Sequence, residues 1–169
     1  FSPRGTGKST LIRSVFSESR KTLWINLLRP EEEDRFLRSP SLLREIVETV
    51  KPSVVVIDEV QKAPQLLDVV HELIEERKTR FIMSGSSARK LKRGAANLLA
   101  GRASSFFLDA LTSFELGDRF RLNDALELGL LPYLYFPDPD KEGKRLSTSD
   151  KIAFLQSYAL TYLKEEIQL

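Results

Sequence analysis

The sequence predicts an α/β fold in which a parallel β-sheet is flanked by helices. Short runs of β-branched and other apolar residues alternate with longer segments of helical periodicity, which is the pattern of βαβ units. A glycine-rich turn runs into the first helical segment, and a later apolar run ends in two adjacent carboxylates. In open α/β sheets such turns and strand ends meet at the carboxyl edge of the sheet, where ligands bind. We therefore expect the functional residues at that edge.

The first ten residues, Phe1 to Thr10, have the features of a phosphate-binding loop. In the template G-x-x-x-x-G-K-[ST], glycines let backbone N–H groups surround the phosphates, a lysine reaches the β- and γ-phosphates, and a hydroxyl ligates Mg²⁺. Ser2 replaces the first glycine of the template. The predicted nucleotide-binding residues are Pro3, Arg4, Gly5, Thr6, Gly7, Lys8, Ser9 and Thr10. The competing interpretation is a solvated turn without a ligand.

The run Ser-Val-Val-Val-Ile-Asp-Glu at residues 53–59 predicts a strand that is buried on both faces. Asp58 stands at its carboxyl end, where an aspartate of P-loop enzymes holds Mg²⁺ together with the loop hydroxyl, here that of Ser9. Glu59 is placed to orient and deprotonate a water aimed at the γ-phosphate. The competing interpretation is an acidic helix cap after a core strand, and the phosphate loop upstream favours the metal site.

Composition places few limits on partners. The chain has 169 residues, is 41% hydrophobic and carries a net charge of +2, which indicates a domain of ordinary size and no preference for nucleic acid. Cysteine is absent, so disulfides, thiol nucleophiles and cysteine-ligated metals are excluded, and a cytoplasmic location is favoured. No apolar run has the length of a membrane span and no signal peptide is evident, so we expect no membrane association.

The predicted elements divide the chain into an ATPase-type core, 1–111, and a helical lobe, 112–169. Thr112 and Glu115 have the spacing of a capping box. We expect the first strand to lie upstream of Phe1 and more protein to follow Leu169, because the final helical pattern has no cap. The other predicted strands are 22–28, 79–84 and 104–108, and the other predicted helices are 41–50, 65–77, 88–93, 123–128 and 149–169.

Two further side chains are candidates for catalysis. Ser84, at the end of the strand 79–84, is the first choice for a hydroxyl that bonds the γ-phosphate or the attacking water, and Ser86 is the second. The alternative is a polar turn whose serines cap the next helix. Arg102 is either an arginine finger, in the same chain or across a subunit interface, or the partner of a surface carboxylate.

Two other features favour ordinary surface roles. His71 is the only histidine, and a lone histidine lacks the oriented partners that catalysis needs. The basic helix Arg89–Arg93 is typical of a solvated surface, with nucleic-acid binding as the alternative.

These motifs together resemble the prokaryotic, archaeal-type ATPases of the AAA superfamily, which usually carry a C-terminal domain of unknown function. The resemblance rests on the loop, Val-Ile-Asp-Glu-Val-Gln-Lys at 56–62, Ser-Gly-Ser-Ser-Ala-Arg-Lys-Leu at 84–91 and Asn-Leu-Leu-Ala-Gly-Arg-Ala at 97–103. It implies a RecA/AAA-like P-loop sheet of strand order 5-1-4-3-2, ATP and Mg²⁺ as ligands, and a truncated C-terminal domain. It assigns roles to Lys8, Ser9, Asp58 and Glu59, and less directly to Ser84 and Arg102.

The function expected first is Mg²⁺-dependent ATP hydrolysis that drives a conformational change. Lys8 and the loop amides hold the phosphates, Ser9 and Asp58 place Mg²⁺, and Glu59 activates water. The alternatives are a nucleotide-dependent switch without turnover and a nucleic-acid-binding regulator. The sequence lacks the Asn-Lys-x-Asp tetrad of GTPases, which favours ATP over GTP. Homo-oligomerisation and a protein or nucleic-acid target stay open.

Overall fold

The computed structural model describes residues 4–16, 21–77, 79–86, 101–137 and 146–166. These residues fall into two compact units. The first runs from Lys8 to Phe107, and the second combines the loop residues up to Gly7 with the chain from Leu108 onwards. Each unit has its own elements, and the boundary at Gly7 and Lys8 falls inside the predicted phosphate loop.

The first unit is an α/β arrangement of the predicted kind. Its apolar β-branched runs form strands, and the segments of helical periodicity form helices between them. In chain order the elements are α1 (Lys8–Phe16), β1 (Thr22–Asn26), α2 (Pro30–Arg38), α3 (Leu42–Val50), β2 (Val54–Asp58), a 3₁₀ helix (Val60–Lys62), α4 (Leu66–Arg77) and β3 (Arg80–Met83).

The three strands form one parallel sheet in the order β1-β2-β3. In the register, Asn26 of β1 is opposite Asp58, and Ile57 is opposite Met83 of β3. The three strands correspond to the strands predicted at 22–28, 53–59 and 79–84, which are the second, third and fourth strands of the predicted order. As that order expects, the second strand lies beside the third and the third beside the fourth. The full order 5-1-4-3-2 stays a prediction, because the described sheet contains neither a first nor a fifth strand.

The core of the first unit forms around β2, every residue of which is buried. This burial explains why the strand is a continuous apolar run rather than an alternating one. Helices α2, α3 and α4 contribute Phe36, Leu43 and Val70, each with 0% exposure. The acidic run Glu31 to Glu33 lies in the first turn of α2, where the helix dipole favours negative charge.

The second unit is helical after the loop residues. It contains α5 (Ser113–Leu116), a 3₁₀ helix (Gly117–Arg119), α6 (Leu122–Leu128), α7 (Pro132–Tyr135) and α8 (Thr148–Glu166). The capping box is confirmed, since the Thr112 hydroxyl accepts from the Glu115 N–H at 3.2 Å and the Glu115 carboxylate accepts from the Thr112 N–H at 2.8 Å. Helix α6 ends at Gly129, which has a φ of 74°.

Some expectations differ from the structure. The strand expected at 104–108 is not formed in the structure, where Phe106 and Phe107 are 81% and 70% exposed. The apolar segment 131–136, for which no helix is predicted from the sequence, includes the helix α7. The predicted helix 88–93 lies outside the described residues.

Candidate functional site

The loop residues Arg4 to Gly7 form a turn that leads directly into α1. Gly5 and Gly7 have φ angles of 76° and 89°, a region that glycine adopts without steric cost, so both glycines are required by the backbone. The Thr6 side chain is buried at 4% exposure. Successive N–H groups in such a turn, followed by a helix N-terminus, are suited to an anion.

Lys8, Ser9 and Thr10 form the first turn of α1. A side chain in the first helical turn lies beside the free N–H groups of that turn, which is where P-loop proteins place their lysine and hydroxyl. The structure therefore gives these residues the local backbone setting that the motif predicts. Ser2 and Pro3 lie outside the described residues, so the departure at the first template position stays a prediction.

A second polar cluster lies at the carboxyl ends of β2 and β3. Asp58 and Ser84 are buried at 3% and 5% exposure, and the Ser84 hydroxyl donates a hydrogen bond to Asp58 Oδ1. The same hydroxyl accepts from the Glu59 N–H at 3.3 Å. Parallel neighbours end at one edge of the sheet, so the register brings Asp58, Glu59 and Ser84 together as the sequence predicts.

The backbone of Ser84 is held as firmly as its side chain. Its N–H donates to Ile57 O at 2.9 Å, and its carbonyl accepts from the Val60 N–H at 2.9 Å. These bonds continue the pairing of β2 and β3 beyond the ladder, and they bracket Asp58 and Glu59 on both sides. The backbone that carries the two carboxylates is therefore held by main-chain hydrogen bonds.

Glu59 has a φ of 60° and a ψ of 48°, the left-handed conformation that non-glycine residues rarely adopt. This turn ends β2 and starts the 3₁₀ helix, in which Val60 is buried. A strained residue directly after a buried strand is a common feature of functional sites. The observation agrees with a functional role for Glu59, and it explains why the chain leaves the sheet at this residue.

The Glu59 carboxylate is anchored through one oxygen. Its Oε2 accepts hydrogen bonds from the Ser86 hydroxyl at 2.9 Å, from the Ser86 N–H at 3.3 Å and from the Gln61 side-chain amide. Gln61 Nε2 also donates to the Ser86 hydroxyl at 3.2 Å. Ser86 thus donates to the Glu59 carboxylate, whereas Ser84 donates to the Asp58 carboxylate, so the two serines orient different side chains.

Sequence reasoning missed Gln61. The segment after Glu59 contains a polar amide two residues beyond a carboxylate, and no sequence motif assigns a role to it. In the tight turn that begins at Glu59, this spacing brings the two side chains together. The next residue, Lys62, forms an ion pair with Glu33 of α2, which links the turn to the helical layer.

Arg102 pairs with a carboxylate in this structure. Its Nε donates to Glu75 Oε1 of α4, and the two side chains are 43% and 52% exposed. This is the second of the two roles considered for Arg102, and the finger role stays a prediction. The hydrogen bond and the positive charge of Arg102 lower the pKa of Glu75 below its ordinary value of 4.5, with a smaller contribution from His71.

No group of three or more histidine, cysteine or acidic side chains that could hold a metal ion occurs in the described residues. Within the same residues, no helix is both long and apolar enough to cross a membrane. The predicted basic face at Arg89–Arg93 lies outside the residues that the structure describes.

Comparison with known proteins agrees with the fold and with the phosphate-loop motif. The family model described as an AAA domain matches residues 2–116. The chain is also similar to an uncharacterised AAA domain-containing protein of Schizosaccharomyces pombe, with 27% identity over 168 residues. That alignment covers 95% of this chain and 22% of the yeast protein, so the chain spans about a fifth of the relative's length.

No solved structure matches the chain. The family match includes the phosphate loop, all three strands and the Asp58 cluster, and it covers more than half of the chain. The chain therefore belongs to the AAA domain family, whose members are nucleotide-binding domains of the ATPase type.

Proposed function

We propose that this AAA domain binds ATP with Mg²⁺ and hydrolyses it. The observation that carries the proposal is the pair of carboxylates at the end of β2, one buried and bonded to Ser84, the other anchored by Ser86 and Gln61. Two carboxylates held in different environments are suited to different tasks. Asp58 is suited to a metal ligand, and Glu59 is suited to a general base.

The residues present fit Mg²⁺. This ion prefers oxygen ligands and usually binds through one or two carboxylates together with waters and substrate phosphates, so it needs no protein cage. Asp58 Oδ1 accepts from Ser84, and no described residue donates to Oδ2. Asp58 and Ser9 would hold the ion. When bound, Mg²⁺ neutralises negative charge on the phosphates.

The chain's own residues supply the rest of the chemistry. The loop amides and the Lys8 ammonium bind the phosphate oxygens, because they place positive charge where the negative charge of the phosphates is greatest. Glu59 accepts a proton from the attacking water at Oε1, since Oε2 is already engaged by donors. Ser84 holds the Asp58 side chain in one orientation.

Several finer assignments belong to the same proposal. We assign the chain to the archaeal-type branch, with a core at 1–111 and a helical lobe at 112–169 that moves with the nucleotide state. Arg102 would leave Glu75 and act as an arginine finger when nucleotide is bound. A C-terminal domain following the lobe would receive the movement, and the greater length of the yeast relative is compatible with further domains.

A nucleotide-dependent switch is the second candidate. The specific observation in its favour is that Glu59 Oε2 accepts from both Ser86 and Gln61. A carboxylate oxygen that is engaged by protein donors has less capacity to accept a hydrogen bond from an attacking water. Under this alternative the chain binds ATP and releases phosphate very slowly.

The deciding experiment measures Mg²⁺-dependent ATP binding and phosphate release. It compares the wild-type chain with Lys8→Ala, Glu59→Gln and the control Glu45→Gln, which changes an exposed glutamate of α3. We expect Lys8→Ala to lose binding, and Glu59→Gln to bind ATP while losing about 10²–10⁴-fold in turnover. The control should behave like the wild type.

Other results would change the conclusion. ATP binding without measurable phosphate release in the wild type would replace the hydrolase with the switch. If the wild type binds no nucleotide, or if Lys8→Ala binds as well as the wild type, the phosphate-loop assignment is wrong.

A further inference from the structure

Helix α8 contacts the phosphate loop through Tyr158. The Tyr158 hydroxyl donates a hydrogen bond of 2.9 Å to the backbone carbonyl of Arg4. The ring of the same residue lies against Gly5, where an added Cβ would be 3.8 Å from Tyr158 Cε2. Both contacts lie within the second unit, because the loop up to Gly7 and the chain after Leu108 belong to it.

Helix α7 supports the loop at a second point. The position that a Cβ would occupy at Gly7 is 3.9 Å from the Pro132 ring. The next residue, Tyr133, packs on Phe154 of α8 with ring centroids 4.5 Å apart, and Phe154 stacks on Tyr158 at 6.1 Å. Ring contacts therefore link α7 to α8, and one residue of each helix lies beside a glycine of the loop.

The orientation of the loop carbonyls matters for anion binding. Where the N–H groups of a tight loop point inward at phosphates, its carbonyl groups point away and bond to water or to a protein donor. Tyr158 supplies that donor at Arg4. Glycines with positive φ give no resistance to a change of conformation, so the loop depends on such outside contacts for its shape.

We propose that Tyr158 is a positioning residue that holds the phosphate loop in its anion-binding conformation and couples nucleotide binding to α8. The inference rests on the proposed function, because it requires that the loop binds phosphates. The coupling is reciprocal: if the contact raises the affinity for nucleotide, bound nucleotide stabilises the contact to the same extent.

The position of the ring argues against the other role of a tyrosine near a nucleotide, which is to stack on the base. One face of Tyr158 is stacked on Phe154, and its edge contacts Gly5. Its side chain is half-buried. The hydroxyl and the ring edge are both directed at the loop backbone, so the contact acts on the phosphate end of a ligand.

The test compares Tyr158→Phe with a matched control in the same unit. Tyr135 also donates its hydroxyl to a backbone carbonyl, that of Gly129, at 3.1 Å. Tyr135→Phe therefore removes a bond of the same kind from the same unit, at a carbonyl outside the loop. The ligands are ATP and inorganic tripolyphosphate, the second of which has no base to stack, and thermal unfolding without ligand is recorded for each variant.

We expect Tyr158→Phe to weaken the binding of both ligands by about three- to tenfold, the effect of one hydrogen bond, while Tyr135→Phe binds as the wild type does. Unchanged binding of both ligands by Tyr158→Phe overturns the inference and leaves the proposed function intact. A loss for ATP but not for tripolyphosphate also overturns it, in favour of base stacking. Absence of ATP binding in the wild type removes the proposed function and the inference together.

If Tyr158→Phe does not fold, the coupling between the phosphate loop and α8 is tested on the wild type instead. Hydrogen exchange of the α8 backbone amides is followed with and without tripolyphosphate. Slower exchange around Tyr158 in the presence of the ligand is expected from the coupling, and exchange that the ligand leaves unchanged contradicts it.

Discussion

Ser84 donates its hydroxyl hydrogen to Asp58 Oδ1 and accepts the Glu59 N–H at 3.3 Å, so one buried hydroxyl serves two consecutive residues of the neighbouring chain segment. Asp58 itself is 3% exposed. A carboxylate in that position depends on its donor, because a buried charge without a partner is costly. This relationship leads to the first prediction.

Ser84→Ala removes the donor and leaves Asp58 buried. We expect the free energy of unfolding to fall by about 1–3 kcal/mol, the cost of leaving a buried acceptor without its donor. Urea denaturation of Ser84→Ala is compared with Ser53→Ala, which alters an exposed serine before β2. Equal stability of the two variants would mean that the hydroxyl is not needed to bury Asp58.

Glu59 is in the left-handed conformation, so a glycine there should relieve strain. We expect Glu59→Gly to be more stable than Glu59→Ala by about 0.5–1 kcal/mol, since the relief exceeds the additional entropy of the unfolded glycine chain. The same pair of substitutions at Glu45, inside α3, should show the opposite order by about 1 kcal/mol. An alanine variant at Glu59 that equals or exceeds the glycine variant would contradict the strain.

Ser86 and Gln61 fix the orientation of Glu59. If Glu59 is the base, Ser86→Ala and Gln61→Ala should each lower kcat for phosphate release by roughly five- to tenfold, the rate equivalent of about 1 kcal/mol. The Kd for ATP should not change, because neither side chain is part of the phosphate loop. A fall in affinity without a fall in kcat would assign the two residues to binding instead.

Arg102 is bound to Glu75, and two variants separate the finger from the ion pair. Glu75→Gln removes the charge of the ion pair and keeps the guanidinium, whereas Arg102→Ala removes the guanidinium. We expect the rate of phosphate release to fall at least about tenfold in Arg102→Ala and to stay unchanged in Glu75→Gln. Arginine fingers contribute about 10³–10⁵ in kcat, so tenfold is a lower bound. Equal rates of phosphate release in the two variants would mean that Arg102 forms only the surface ion pair.

In Arg102→Ala the pKa of Glu75 should rise toward its ordinary value, as an NMR titration would show.

Glu115 of the capping box makes the stability of the fold depend on pH in a direction that can be stated. The Thr112 N–H and hydroxyl donate to its carboxylate and lower its pKa below the ordinary value of 4.5. The ionised form is thus favoured by folding, so the stabilisation is fully present above about pH 4.5 and is lost as the pH falls through the lowered pKa. Thr112→Ala should raise the pKa of Glu115 in an NMR titration. An unchanged pKa would mean that the capping box does not persist in solution.

Much of the first unit could be predicted from local patterns. The runs at Thr22–Asn26, Val54–Asp58 and Arg80–Met83 are short, apolar and followed by polar turns, and all three are strands. The capping box at Thr112 was predictable because it depends on two side chains a fixed number of residues apart, which is a local relationship.

The expectations that failed depend on relationships between distant residues or on backbone geometry. Residues 104–108 have the composition of a strand, but a strand forms only beside a partner, and composition does not identify one. Gln61 reaches Glu59 because of the left-handed turn, and no residue type at that position signals such a turn, since glutamate rarely adopts it. The contact of Tyr158 with Arg4 joins opposite ends of the sequence and has no local signal at all.

The position of Ser84 also has a consequence for how the chain folds. A shift of β3 by one residue against β2 would put Met83 or the buried Gly85 beside Asp58, and neither has a hydroxyl. Such a misaligned sheet would contain a buried carboxylate without a donor, which disfavours it strongly against the native alignment. Parallel strands pair late and over long sequence separations, so errors of alignment are a hazard for this topology. The hydroxyl that orients Asp58 therefore favours the native alignment of β3 over alignments shifted by one residue.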